Sequence, residues 1–228
     1  MLFDVFVFKK SPPMKGLNSY YNNTRNEIAA LIPNDIRTIL DIGCAKGNFL
    51  KFVKEKTQAE TWGIEVEIEV GEKAKVNVDK VIIGKVEEVI DSVPNNYFDC
   101  ITFNDVLEHL LEPTEVLKLI KPKLSRNGIV IASVPNVRHF WNLYELIIKK
   151  DWKYRESGIL DSTHLRFFTQ KSLYRMFEEA NFRNLKIIGM NELKPWFFGC
   201  FNFIAFNFFE DTKYVNIVCI AEKNAKLL

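Results

Sequence analysis

Paired cysteines are missing from this chain. Cys44, Cys100, Cys200 and Cys219 stand far apart, with no CxxC spacing, which excludes a zinc ribbon or a disulfide framework. A reduced, cytoplasmic protein is the plain expectation. A surplus of charge is missing as well. The 31 Lys and Arg against 29 Asp and Glu leave a net charge of +2, so nothing calls for nucleic acid as a partner. No apolar run reaches the ~18–20 residues of a membrane span. The nearest, "PWFFGCFNFIAFNFF" at 195–209, is shorter and carries Asn202 and Asn207. The opening "MLFDVFVFKK" sets Asp4 in its apolar stretch without a basic lead-in, so no cleavable signal is expected. Internal repeats and low-complexity tracts are absent, and nothing reads as disordered.

What is present is a core-forming composition. The chain has 228 residues, 47% of them hydrophobic, which suits one α/β domain over 1–228. Residues 19–33 put Tyr21, Ile28 and Ile32 on one helical stripe that Pro33 ends, a candidate cap helix. "RTILDIGC" (37–44) reads as a buried strand entering a glycine turn, and "NFLKFVKEK" (48–56) as a helix with Phe49, Phe52 and Val53 inward. Strands are expected at 61–66, 80–84, 97–105, 127–136, 185–190 and 214–223, with helices at 69–77, from Pro113, and at 171–182. The alternation predicts βαβ units and a seven-stranded, mostly parallel sheet with helices on both faces. Ligands of such sheets bind at the carboxyl ends of the strands, near the reversal of strand order.

The turn after the first strand is the first candidate site. In "LDIGCAKGN" (40–48), Gly43 and Gly47 allow backbone angles and an approach that a Cβ would block. The helix starting near Asn48 offers unpaired N–H groups. Asp41 ends its strand as an acceptor, and Glu65, 24 residues on, is placed to accept both hydroxyls of a ribose. A nicotinamide dinucleotide asks for G-x-G-x-x-G, and from Gly43 the second and third positions are Ala45 and Asn48. The turn instead follows D-x-G-x-(G/A)-x-G. An acid two residues before the first glycine suits a ligand with an amine and a sulfonium, which is S-adenosylmethionine (SAM). A tight turn without a ligand is the plain alternative.

The second candidate is "NDVLEHLLEP" (104–113). Asp105, Glu108 and His109 lie at i, i+3 and i+4, so one helical turn would give them a common face. That face is open to three readings: a metal site, a proton-transfer site, or a solvated helix start. His109 is the natural base, since an unperturbed imidazole titrates near ~6.5.

From about Tyr20 to Phe182 the chain resembles the class I SAM-dependent methyltransferases, which implies their Rossmann-like, doubly wound fold. "LDIGCAKGNFL" resembles their first motif, "GIEVE" the ribose-binding end of strand two, and "FDCITFNDVLEHLLEP" the motif of strand four. The long stretch from "SVPNVRHFWNLYELIIKKDWKY" to "THLRFFTQKSLYRMFEEANF" resembles a bacterial subgroup associated with surface-polysaccharide synthesis. The resemblance implies that Asp41, Gly43, Ala45 and Gly47 surround the methionine part of SAM, with Asn104 and Asp105 at its methionine end. Glu65 would hold the ribose, and Val86 and Glu87 the adenine. Lys85 departs from the pattern: an aspartate common there accepts from the adenine amine, and lysine cannot accept.

Glu108 and His109 would face the methyl acceptor as catalytic residues. "DVLEH" also resembles an ExxEH element of metal-dependent O-methyltransferases, and "THLRFFT" the segment with a distant histidine. That implies a divalent ion, Mg²⁺ or Mn²⁺, on Asp105, Glu108, His109 and His164. The reading is O-methylation of a sugar or glycan hydroxyl, with a small-molecule or glycan acceptor. The alternatives are a phenolic or quinone-like acceptor, or a non-catalytic SAM-binding protein. Residues 136–170 and 191–210 are the expected lid. Trp141, Tyr144, Trp152 and Tyr154 would stack on the acceptor, and Arg138, Arg155 and Arg166 would pair with phosphate or carboxylate; for Trp141 and Tyr144 a plain helix packed by its apolar face is the equal alternative. The 195–209 run is expected to pack over the lid, with docking on a membrane surface or a partner protein as the other options.

Overall fold

A computed structural model of the chain describes residues 25–223. The first part of the expected 19–33 helix, with Tyr20 and Tyr21, lies outside them. Its described part is one short turn of helix, α1 (Asn26–Ala29), which buries Ile28 and Ala29.

Seven strands follow: β1 (Thr38–Ile42), β2 (Glu60–Glu65), β3 (Lys80–Ile83), β4 (Phe98–Asn104), β5 (Leu124–Pro135), β6 (Arg183–Glu192) and β7 (Tyr214–Glu222). They form one sheet in the order β3-β2-β1-β4-β5-β7-β6. The first five run parallel, and β7 enters antiparallel between β5 and β6. β1 and β4 are central and covered on both faces, which is why their sequences are near-continuous apolar runs rather than alternating ones.

The helices lie on both faces. On one, α2 (Asn48–Thr57) turns Phe49, Leu50 and Val53 onto the sheet, joined by Ile28, Ile32 and Ala74 of α3 (Ile68–Ala74). On the other, α4 (Val86–Val89), α5 (Pro113–Ile120) and α7 (Gln170–Glu179) bury Val86, Val116, Leu117, Leu173 and Phe177. Each such side chain contributes about 1.5–3 kcal/mol when fully buried. Proline opens α5 at its first turn, where no intrahelical N–H is lost. A reciprocal pair of bonds between Thr169 and Ser172 caps α7. Two further helices, α6 (Phe140–Ile147) and α8 (Phe198–Ile204), lie in the connections after β5 and β6. No helix among the described residues is long and apolar enough to cross a membrane.

Strand order reverses between β1 and β4, so their carboxyl ends flank the crevice of the sheet. Both sequence candidates, the glycine turn and the segment after Asn104, fall there.

Candidate active site

The glycine turn is built from left-handed backbone. Gly43 has φ 74°, Ala45 49° and Gly47 75°. A Cβ on Gly43 would stand 2.6 Å from Val106 Cγ2, and one on Gly47 2.4 Å from Val78 Cγ2. Both glycines are therefore fixed by conformation and by close packing. Asp41, 2% exposed, accepts from Thr102 Oγ1 (2.6 Å) and from Asn104 Nδ2 (3.0 Å). Burial still dominates and lifts its carboxyl to about 7, against those two bonds. Asn104 Oδ1 is buried without a hydrogen-bond partner among the described residues. Glu65 closes β2 and is nearly buried. Its Oε2 accepts from the Ala45 N–H at 2.8 Å and its Oε1 from the Glu67 N–H at 3.0 Å. The crevice thus offers a buried acid, an unpartnered amide oxygen and a backbone-held carboxylate. That is a site for a small cationic ligand with hydroxyl donors, and it fits SAM.

The residues expected beside the adenine are placed differently from one another. The Val86 side chain is buried in the core, while Glu87 is exposed. Lys85 is exposed and pairs with Glu88 at 3.6 Å.

Past Asn104 the chain does not form an α-helix. Asp105 takes φ 54°, and Leu107–His109 make a single 3₁₀ turn. Asp105 therefore does not share a face with Glu108 and His109. The Asp105 carboxylate is occupied by the Arg25 guanidinium and accepts from Ser133 Oγ at 3.0 Å and Asn216 Nδ2 at 3.4 Å. This corrects the expectation of Asp105 as a metal ligand: its oxygens belong to an ion pair that ties the start of the described chain to β4, β5 and β7.

Glu108, His109 and His164 do come together, with one potential ligand atom from each within 4.8 Å of the others. Glu108 is 1% exposed, and both carboxylate oxygens are buried without a hydrogen-bond partner among the described residues. Burial raises its carboxyl to about 8. The backbone carbonyl of Glu108 receives the N–H groups of Leu165 and Arg166 at 2.8 and 3.1 Å, which brings His164 beside it. The two imidazoles meet edge to face at 4.8 Å between centroids. His164 Nδ1 lies 3.0 Å from the Ile159 carbonyl, and His109 Nδ1 3.3 Å from the Thr163 carbonyl. A carbonyl only accepts, so each ring keeps its proton on Nδ1 and leaves Nε2 with a lone pair. Burial, then the neighbouring His164, lowers the pKa of His109 below the ordinary imidazole value, which keeps that ring neutral at pH 7.

From His164 a series of rings leads outward. Phe167 stands 6.3 Å from His164, Trp152 5.2 Å and Tyr154 6.4 Å from Phe167. Trp141 and Tyr144 belong elsewhere, edge to face on α6. The arginines are engaged: Arg138 with Asp211, Arg155 with Glu145, and Arg166 with the Leu111 carbonyl. This replaces the expectation that they await an anionic acceptor. His139 is structural, with Nε2 2.9 Å from the Leu193 carbonyl. The 195–209 run does not pack over the lid as a whole. Phe198 and Asn202 are buried, and most of its rings are exposed. Sequence reasoning passed over Thr102, Thr163 and Phe167. A lone hydroxyl inside the apolar β4 run was the available signal for Thr102; nothing local marked the other two.

Comparison with known proteins agrees with this geometry. Residues 16–187 match the family described as a methyltransferase domain. A malonyl-[acyl-carrier protein] O-methyltransferase of Halalkalibacterium halodurans is 25% identical over 158 residues, 66% of this chain; the chain spans 57% of that relative's length. Among solved structures, a SAM-dependent methyltransferase of Archaeoglobus fulgidus superposes with a TM-score of 0.68 at 21% identity, covering 90% of this chain and 97% of that one. A SAM-dependent methyltransferase of Thermotoga maritima gives 0.63 at 17%, covering 90% and 89%. These likenesses show the fold, and the matched domain covers well over half of the sequence: the chain belongs to the class I methyltransferase family, whose cofactor is S-adenosylmethionine.

Proposed function

We propose that the protein is an O-methyltransferase acting on a sugar or glycan hydroxyl. The observation that carries the reading is the cluster of Glu108, His109 and His164 beside the cofactor crevice. When bound, SAM supplies a methyl group already activated by its sulfonium charge. Asp41, Gly43, Gly47 and Asn104 would hold its methionine part and Glu65 its ribose, with Val86 and Glu87 beside the adenine. The chain's remaining task is to orient the acceptor and exclude water. A thiol or amine needs little more, but an alcohol must lose its proton. His109 Nε2 has a lone pair for that proton. The Glu108 carboxyl, raised to about 8 by burial, is mainly protonated at neutral pH and lines the pocket beside that ring as a neutral polar group.

The same three residues fit a divalent ion. Two imidazole nitrogens and a carboxyl group that a bound cation would ionise form a mixed nitrogen and oxygen donor set, which suits Mn²⁺ better than Mg²⁺. Such an ion would lower the pKa of a bound hydroxyl. The rings of Phe167, Trp152 and Tyr154 are half-buried to exposed, and partly open aromatic surfaces suit the apolar face of a sugar. The flat ring of a phenol would use the same surface.

A carboxylate acceptor is a second reading, favoured by the malonyl-[acyl-carrier protein] relative. A carboxylate is already an anion at neutral pH and needs neither base nor metal. Incubation with labelled SAM, sugar nucleotides, catechols and malonyl carrier protein separates the readings, each run with and without chelator. Label on a sugar hydroxyl is expected. Label confined to malonyl carrier protein, undiminished in His109→Ala, would sink the hydroxyl reading.

A further inference from the structure

The segment around α8 leaves its hydrophobic residues outside. Trp196 is 92% exposed, Phe206 95%, Phe203 78%, Ile204 77% and Phe208 69%. No charged residue intervenes between Lys194 and Glu210. Aromatic side chains carry about 150–250 Å² each. All five fall between positions 196 and 208, which is more exposed apolar surface than singly scattered hydrophobic residues supply.

The arrangement is built rather than loose. Asn202 is 3% exposed; its Oδ1 accepts from the Phe209 N–H at 2.9 Å and its Nδ2 donates to Glu210 at 2.8 Å. The polar side chain is inside and the rings are outside, the reverse of the usual partition. Phe206 and Asn207 hold left-handed angles, φ 51° and 60°, which a bulky residue seldom adopts. A ring 95% exposed lines no groove; it stands off the surface.

Cations lie on the segment that continues α6, the helix that packs on α8. Phe140 of α6 packs on Phe197, Phe198 and Phe201 at 6.0, 5.9 and 6.1 Å. α6 itself runs out through exposed Leu146, Ile147 and Ile148 into Lys149, Lys150 and Lys153. Lys150 and Lys153 are exposed and have no acidic partner among the described residues. The Arg138 guanidinium lies 5.9 Å from the Phe208 ring.

We propose that this surface docks reversibly on an anionic lipid bilayer, with the α8 rings in the boundary between headgroups and acyl chains and the α6 lysines on the headgroups. Trp and Phe favour that boundary, and lysines close to it are attracted to anionic lipid. A second copy of the chain is the poorer occupant. A two-fold contact pairs a patch with itself, so it would bring the same lysines of both copies to one face.

The test is co-sedimentation of the full chain with vesicles of phosphatidylcholine plus phosphatidylglycerol, against phosphatidylcholine alone. The chain should pellet with the anionic vesicles and shift its tryptophan emission to shorter wavelength, a shift lost in Trp196→Phe. A Trp196→Ser/Phe206→Ser double variant should lose roughly tenfold or more in bound fraction while melting at the wild-type temperature and binding SAM as before. Lys150→Gln/Lys153→Gln should remove the preference for anionic vesicles. Wild type left in the supernatant, or a double variant that pellets equally, overturns the proposal. So does a wild-type dimer that the double variant dissolves without any vesicle binding.

Discussion

Asp41 is the residue whose chemistry is set most completely by its surroundings. Its carboxyl titrates near 7 in the folded chain, raised from 3.8 by burial. The stability it contributes is fully present below its ordinary value and is lost as pH climbs through about 7. At 1.36 kcal/mol per pH unit the loss is at most about 4 kcal/mol. Thermal unfolding of the ligand-free protein should therefore fall in temperature from pH 5 to pH 8, and Asp41→Asn should remove Asp41's share of that slope. A cationic ligand favours the ionised form, so SAM affinity should rise across the same window; titration calorimetry at pH 5.5 and 8 checks the direction. His109 makes a different prediction. His109→Ala should lower turnover about 10²–10⁴-fold, the range of general-base catalysis, and leave SAM affinity within about twofold. A collapse of that affinity would make the imidazole scaffolding. The reach of Arg25 to Asp105, 80 positions away, was not legible in the motif. Spacing alone gave Asp105 the same standing as Glu108. The positive φ at Asp105 turned its carboxylate to β5 and β7 instead.

At the level of elements, legibility followed periodicity. β1, β4 and the second half of β5 are buried on both faces, and their apolar runs made them legible as strands of a mostly parallel sheet. α7 carries Leu173, Met176 and Phe177 on one stripe, so its position was readable too. The aromatic run at 195–209 was misread because hydrophobicity is a one-way signal. Fifteen uncharged residues imply burial only if a neighbour is available to cover them, and the sequence does not show neighbours. The antiparallel insertion of β7 was also invisible, because pairing partners are set by topology and not by the local pattern. The α7 elements can be tested directly. Phe177→Ala removes a fully buried ring packed 5.5 Å from Phe182 and should cost about 3–5 kcal/mol. Thr169→Ala removes the acceptor of the Ser172 N–H and should cost only about 0.5–2 kcal/mol. Urea unfolding with unchanged m-value checks both; equal losses would contradict the assignment of Phe177 to the core and Thr169 to a cap.

Across the whole molecule, the crevice couples chemistry to stability because the strands that form it are the centre of the sheet. Asp41 is the penultimate residue of β1, Glu65 ends β2 and Asn104 ends β4, and these three strands are hydrogen-bonded neighbours. A ligand that binds all three stabilises the folded chain and not the unfolded one. At a hundred times its dissociation constant, SAM should contribute about 2.7 kcal/mol. For a chain of this size each kcal/mol moves the midpoint by about 2–4 °C, so a rise of roughly 5–10 °C is expected. Gly47→Val places a branched side chain at φ 75° against Val78 and should abolish that rise while also lowering the ligand-free midpoint. Glu65→Gln keeps the size of the side chain but weakens it as an acceptor for a ribose, and should reduce the rise with less effect on the ligand-free protein. Trp196→Ser/Phe206→Ser lies outside the crevice and should keep the full rise. If Glu65→Gln and the surface variant respond identically to SAM, the carboxyl end of β2 is not part of the cofactor site.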